Sequence, residues 1–159
     1  IAWGPTLTPE RAGRSQAIYT PLDDLLKQAD VVSVHLALSD QSKNLLNEAR
    51  LRLMKKSAYL INAARGAIVD EKALVKILQE HGIAGAALDV FVEEPLPANH
   101  PLLQLDNVVL TPHLGWPTDS GFAGFAENAV TNILDYMDGK LTRVVNPEAL
   151  QNRAKRPSS

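Results

Sequence analysis

The 159-residue sequence has no cysteine, which excludes disulfides and thiolate-held metal centres; no metal site is expected. No charge of one sign dominates, since 16 Lys and Arg stand against 18 Asp and Glu for a net charge of -2. That balance leaves no electrostatic footprint for nucleic acid, and no basic stripe interrupts it. No apolar run approaches the ~20 residues of a membrane span, so no membrane partner is expected. Internal repeats and low-complexity segments are absent. The chain opens on Ile1 rather than Met and carries no signal-peptide pattern; the expected setting is cytoplasmic.

What remains is an ordinary globular composition, 45% apolar and 21% charged, with enough length for one real core. Ile1-Ala2-Trp3 reads as the tail of a strand broken by Gly4-Pro5, so the sequence is expected to be a piece of a longer chain. Thr20-Pro21 reads as an N-cap with proline in the first helical position, followed by Leu22, Leu25, Leu26 and Ala29 at helical spacing. Val31 to Leu36 is a buried strand. Asn47 caps a short helix ending near Met54, and Ala58 to Ile61 is a second buried strand. Asp70 caps a helix carrying Ala73, Leu74, Ile77 and Leu78 on one face, with Gly82 ending it. Ile83 to Leu88 and Val108 to Leu110 are further strands, separated by a long connection from Pro95 to Asp106. Pro117-Thr118-Asp119 starts a long helix with Phe122, Phe125, Ala126, Ala129, Ile133 and Tyr136 on one face, and Gly139 closes it. The polar segment from Gln151 to Ser159 is expected to be mobile. Alternating strands and helices with near-continuous apolar strands predict an α/β fold: a parallel sheet covered on both faces.

In such a sheet, ligands bind beyond the carboxyl ends of the strands. Four candidates collect there: Arg65 after the second strand, Asp89 and Glu94 after the third, and His113 after the fourth. Taken singly, each has an ordinary structural explanation, as a surface ion pair, a loop cap or a turn hydrogen bond. Together they suit one kind of reaction. A histidine exchanges a proton with a substrate hydroxyl near neutral pH, and an adjacent carboxylate favours the charged imidazole and fixes its tautomer. An arginine presents a planar fork to a carboxylate. His81, at a helix end where a cation suits the dipole, and His100, in the long connection, are read as structural.

These residues lie within segments that resemble a known family. Asp30 to Leu36 is similar to the strand-end segment beside the nicotinamide in the D-isomer-specific 2-hydroxyacid dehydrogenases. Ile61 to Asp70 resembles that family's Asn-x-x-Arg-Gly segment, Ala87 to Leu96 its Asp-Val-Phe-x-x-Glu-Pro segment, and Leu110 to Trp116 its Thr-Pro-His segment. The resemblance spans about residues 1 to 148. It implies a Rossmann-like, doubly wound parallel sheet, here incomplete because the first strand and the Gly-rich loop are absent. It divides the chain into a partial dinucleotide-binding domain (1–116), a long helix with a return segment toward a substrate domain (117–150), and a flexible tail (151–159).

The same resemblance implies that Arg65 holds the substrate carboxylate, that His113 is the acid and base, and that Glu94 orients His113. Asp89 contacts the nicotinamide ribose or carboxamide. Leu36, Ser39, Ala63, Ala64 and Gly115, together with Arg65, Asp89 and His113, line the cofactor, and Trp116 forms part of the substrate pocket wall. The family's ribose-binding acid is missing, since Trp3 is followed by Gly4. NAD is the expected cofactor because no basic cluster replaces that acid, with NADP the alternative; Arg11 and Arg14 stand too far along to assign. The expected activity is hydride transfer between NAD(P)(H) and a small D-2-hydroxy acid or 2-keto acid, in a protein that is a homodimer at full length. The piece alone is expected to be inactive. A dinucleotide-sensing binding protein of corepressor type is the rival. A formate dehydrogenase is disfavoured by glutamate at position 94.

Overall fold

Four short apolar segments pair side by side in chain order: β1 (Val31–Val34), β2 (Tyr59–Asn62), β3 (Gly85–Leu88) and β4 (Val108–Leu110). The structure, a computed structural model, describes residues 1–140 and 142–148. Every pairing is parallel, with Val34 level with Asn62, Asn62 with Leu88, and Leu88 with Leu110. The helices are α1 (Pro9–Arg14), α2 (Leu22–Gln28), α3 (Glu48–Leu51), α4 (Glu71–Gln79) and α5 (Asp119–Met137). Among the described residues, 3-10 turns at Gly66–Ile68 and Pro101–Gln104 lie in the connections. The described chain forms two compact units, Ile1–Gly115 and the part from Trp116 onward.

One face of the sheet carries the core. Val32, Val34, Leu60, Ala86 and Leu88 are buried together with Leu26 of α2, Leu51 of α3 and Ala73, Leu74, Ile77 and Leu78 of α4. The opposite face is open: Val31, Tyr59 and Val109 are each more than half exposed. The expected cover on both faces is thus met on one. The reason is topological. A sheet that grows in one direction through crossovers of one hand places its crossover helices on one side.

Caps explain the helix boundaries. Asn47, Asp70 and Thr118 each accept an N–H from the first turn of the helix they start, as their sequence positions predict. Thr20 does not cap. Its N–H pairs with the Ala2 carbonyl at 3.0 Å, and α2 starts one residue later from Pro21 with no side-chain cap. The same pairing places Ala2 in an isolated bridge with Tyr19 rather than in a strand of the sheet. Thr8-Pro9 starts α1, which the sequence reading missed. At the end of α4 the left-handed residue is His81, with φ 48°, not Gly82. The His81 N–H reaches Leu78 and the Gly82 N–H reaches Ile77, closing the carbonyls of the last turn.

In the second unit, α5 ends with Asp138 as C-cap and Gly139 at φ 73°. No described residue of α5 is buried, and its apolar face is exposed at Phe122, Phe125, Ile133 and Tyr136. Among the described residues, no helix is long and apolar enough to cross a membrane. The tail at 151–159 lies outside the described residues.

Candidate active site

Because Val34, Asn62, Leu88 and Leu110 are level, His35, Ala63, Asp89 and Thr111 leave the sheet along one edge. The chemistry-bearing loops therefore start from a common row. Their shape comes from side chains that accept or donate to backbone.

The loop carrying Arg65 is built on Asn62, whose side chain is among the fully buried ones. Its Oδ1 accepts the Ala64 N–H at 3.1 Å and its Nδ2 donates to the Arg65 carbonyl at 3.0 Å. Both ends of the amide are used to turn the chain, and the Arg65 guanidinium emerges exposed, with Nη1 donating to the Ala64 carbonyl at 2.6 Å. Gly66 then lets this loop meet the next one. A Cβ there would lie 2.6 Å from the Val92 nitrogen and closer still to the Phe91 carbonyl.

Glu94 and His113 are brought together. His113 Nδ1 lies 2.8 Å from Glu94 Oε2, and Glu94 Oε1 accepts the Phe91 N–H at 2.9 Å. The hydrogen bond from His113, then that from Phe91, hold the Glu94 carboxyl below its ordinary 4.5, against burial and with help from the charges of His113 and Arg65. An ionised carboxylate only accepts, so His113 Nδ1 is the donor.

His113 has φ 56°, in the left-handed region. Such a conformation costs a side-chain-bearing residue on the order of 1–3 kcal/mol and persists only where its surroundings enforce it. Asp89 is the enforcer. Its Oδ1 accepts Thr111 Oγ1 at 2.5 Å and the Leu114 N–H at 2.7 Å, while Oδ2 accepts the Gly115 N–H at 2.8 Å. Burial pushes the Asp89 carboxyl up, but the bonds from Thr111, Leu114 and Gly115, with the His113 charge, outweigh it and leave the group below its ordinary value.

Of the residues expected to line a cofactor, Leu36, Ala63, Ala64 and Arg65 border one groove of about 480 Å³. Ala63, Asp89 and Gly115 border a neighbouring depression of about 350 Å³. Small side chains with a carboxylate at the rim suit the flat, polar nicotinamide end of a dinucleotide. Glu94 and His113 line a third cleft, of about 530 Å³, with Leu96, Leu103 and Leu110. Ser39 borders none of these; its N–H and Oγ are engaged with Ser42 Oγ. Trp116 belongs to the second unit, where its ring packs against Phe122 and Phe125. Arg11 is turned back onto Thr6, bonding its carbonyl at 2.5 Å. Asn62 and Thr111 were missed as site-building residues, although both stand inside the quoted segments. Among the described residues, no cluster of three metal-ligating side chains occurs.

Comparison with known proteins places the chain in a family. Residues 1–115 match the model for the D-isomer specific 2-hydroxyacid dehydrogenase, NAD binding domain. A glyoxylate reductase of Thermofilum pendens is 52% identical over 136 residues, covering 85% of this chain and 40% of that protein. A glyoxylate/hydroxypyruvate reductase B of Enterobacter sp. is 44% identical over 139 residues, covering 87% of this chain and 43% of its own. The D-lactate dehydrogenase of Aquifex aeolicus, solved with NAD and lactic acid, superposes with a TM-score of 0.74 at 33% identity, covering 86% of this chain and 45% of that one. The chain spans less than half the length of these relatives. Sequence, fold and strand-end geometry lead to one placement: the chain belongs to the D-isomer specific 2-hydroxyacid dehydrogenases, with residues 1–115 matching the model of their NAD-binding domain.

Proposed function

We propose that the complete protein reduces small 2-keto acids of the glyoxylate and hydroxypyruvate type to 2-hydroxy acids, with NAD(P)H as reductant. The observation that carries this reading is the 2.8 Å pair between Glu94 and His113, seated on a strained turn braced by Asp89. The substrate class is supported by the relatives named glyoxylate reductase. NAD is taken as the physiological cofactor. Leu36, Ala63, Ala64, Asp89 and Gly115 are the residues assigned to hold its nicotinamide end; when bound and reduced, it supplies the hydride.

Arg65 binds the substrate carboxylate through its two-pronged guanidinium. His113 holds a proton on Nε2 toward the carbonyl oxygen and releases it there as that oxygen gains charge. Glu94 keeps the Nδ1 proton throughout and offsets the positive ring before transfer. One hydride and one proton are consumed for each hydroxyl formed. In the oxidative direction His113 takes the hydroxyl proton back. The complete protein is expected to work as a homodimer.

The test is NADH and NADPH oxidation by the complete protein with a panel of 2-keto acids, with His113→Gln as the control. Turnover with glyoxylate or hydroxypyruvate, lost in the control, supports the reading. Tight NADH binding without turnover on any 2-keto acid overturns it in favour of a dinucleotide-sensing protein.

A further inference from the structure

Glu71, the first residue of α4, joins three segments through one carboxylate. Its Oε2 accepts the Val92 N–H at 3.1 Å. Its Oε1 lies 3.3 Å from His100 Nε2, and the two side chains are only 18% and 21% exposed. His100 in turn caps the 3-10 turn Pro101–Gln104, where its Nδ1 accepts the Leu102 N–H at 3.3 Å. A nitrogen that accepts carries no proton, so the ring proton sits on Nε2 and points to Glu71. The histidine read from sequence as an ordinary loop residue is thus a support for Glu71.

The consequence lies one peptide away from the site. Consecutive N–H groups are held by two different carboxylates: Phe91 by Glu94 and Val92 by Glu71. The peptide between them is also the one that Gly66 touches, directly after Arg65. Any displacement of the Phe91–Val92 peptide therefore moves the base from which Glu94 reaches His113, and it presses on the loop that presents Arg65. A glutamate at the first position of a helix also favours the helix dipole. That effect alone requires neither the Val92 bond nor the His100 contact.

We propose that Glu71, supported by His100, is a positioning residue for the reduction: it fixes the Phe91–Val92 peptide and through it the Glu94–His113 pair and Arg65. This rests on the catalytic reading of that pair given above. Misplacement of reacting groups by ~1 Å costs on the order of 100-fold in rate.

The experiment compares the complete enzyme with Glu71→Ala, Glu71→Gln and His100→Ala. It reads kcat and KM for glyoxylate with NADH, the melting temperature, and the NMR resonance of the His113 Nδ1 proton. The expected result for Glu71→Ala is a kcat lowered about 10- to 100-fold, with KM for NADH within about twofold and a shifted His113 Nδ1–H signal. Glu71→Gln keeps one oxygen for Val92 and should recover part of the rate. His100→Ala should fall between that variant and wild type. A Glu71→Ala enzyme with wild-type kcat and an unmoved His113 signal overturns the proposal, even if its melting temperature drops. If Glu71→Ala does not fold, Glu71→Gln is judged by the same two readouts. If the wild-type protein turns over no 2-keto acid, the functional reading fails by itself, and the His113 signal alone decides whether Glu71 positions the pair.

Discussion

Replacing Asp89 with asparagine keeps the size of the side chain and removes one of its two acceptors. Three donors converge on the carboxylate: Thr111 Oγ1 at 2.5 Å, Leu114 N at 2.7 Å and Gly115 N at 2.8 Å. With the amide oxygen at the Oδ1 position, the amide nitrogen faces the Gly115 N–H, donor against donor. Flipped, it faces Thr111 and Leu114 instead. A hydrogen bond to a charged group contributes ~1.5–3 kcal/mol; solvent access to this turn places the loss at the lower end. That loss is comparable to the ~1–3 kcal/mol stored at a left-handed, non-glycine residue such as His113. The turn in Asp89→Asn should therefore relax and spend part of its time with the imidazole away from Glu94. At ~1.4 kcal/mol per factor of ten, kcat/KM for keto-acid reduction should fall roughly 10-fold or somewhat more, with a lower melting temperature. Steady-state kinetics alongside an NADH titration make the assay. Unchanged kcat, with NADH binding the only property weakened, would show that Asp89 acts through the cofactor alone and does not brace the turn, and the strain argument would be wrong.

Arg65→Lys in the complete enzyme keeps the charge and loses the fork; kcat/KM for glyoxylate should drop roughly 10- to 100-fold, the equivalent of one charged hydrogen bond, and near-normal turnover would remove Arg65 from the site. Glu94 has a lowered folded pKa, so its stabilising contribution is complete above about 4.5 and is lost as pH falls through the lowered value. Thermal melts of wild type against Glu94→Gln should show a margin that narrows as pH falls below about 4.5; a margin that does not narrow anywhere in the acid range contradicts the ionised pair. The 159-residue chain on its own should bind NADH weakly, because it contains no Gly-x-Gly-x-x-Gly segment to cradle the pyrophosphate. A micromolar dissociation constant from calorimetry on a monomer refutes that.

The strands and the edge they share were readable from the sequence because apolar runs of four residues between helix caps leave few other arrangements. The caps at Asn47, Asp70 and Thr118 were readable for the same local reason. Thr8-Pro9 and Thr20-Pro21 show where local reading stops. Both pairs carry the same start signal, yet only Thr8 caps, because the Thr20 backbone is committed to Ala2. The Glu94–His113 pair came from family segments in the right order. The left-handed turn at His113 and the bracing by Asp89 did not, since they depend on donors 22 to 26 residues away from Asp89 in the chain. Glu71 and His100 were hidden for the same reason: neither stands near Val92 in sequence.

The strand ends give these loops an origin and a direction, but not stiffness. Stiffness comes from carbonyl-like oxygens on Asn62, Glu71, Asp89 and Glu94, each of which takes up backbone N–H groups that the loops leave unpaired. Glu94 does this with one oxygen while holding His113 with the other, so its two duties are coupled. In Glu94→Gln one oxygen remains for two donors, and any loss of rate mixes a misplaced loop with a histidine deprived of its anion. The Glu71 variants disturb the loop while leaving both Glu94 oxygens in place. Comparing the pH profiles of the two sets therefore separates position from charge: a defect of position lowers the rate at every pH, whereas a defect of charge moves the limb of the profile.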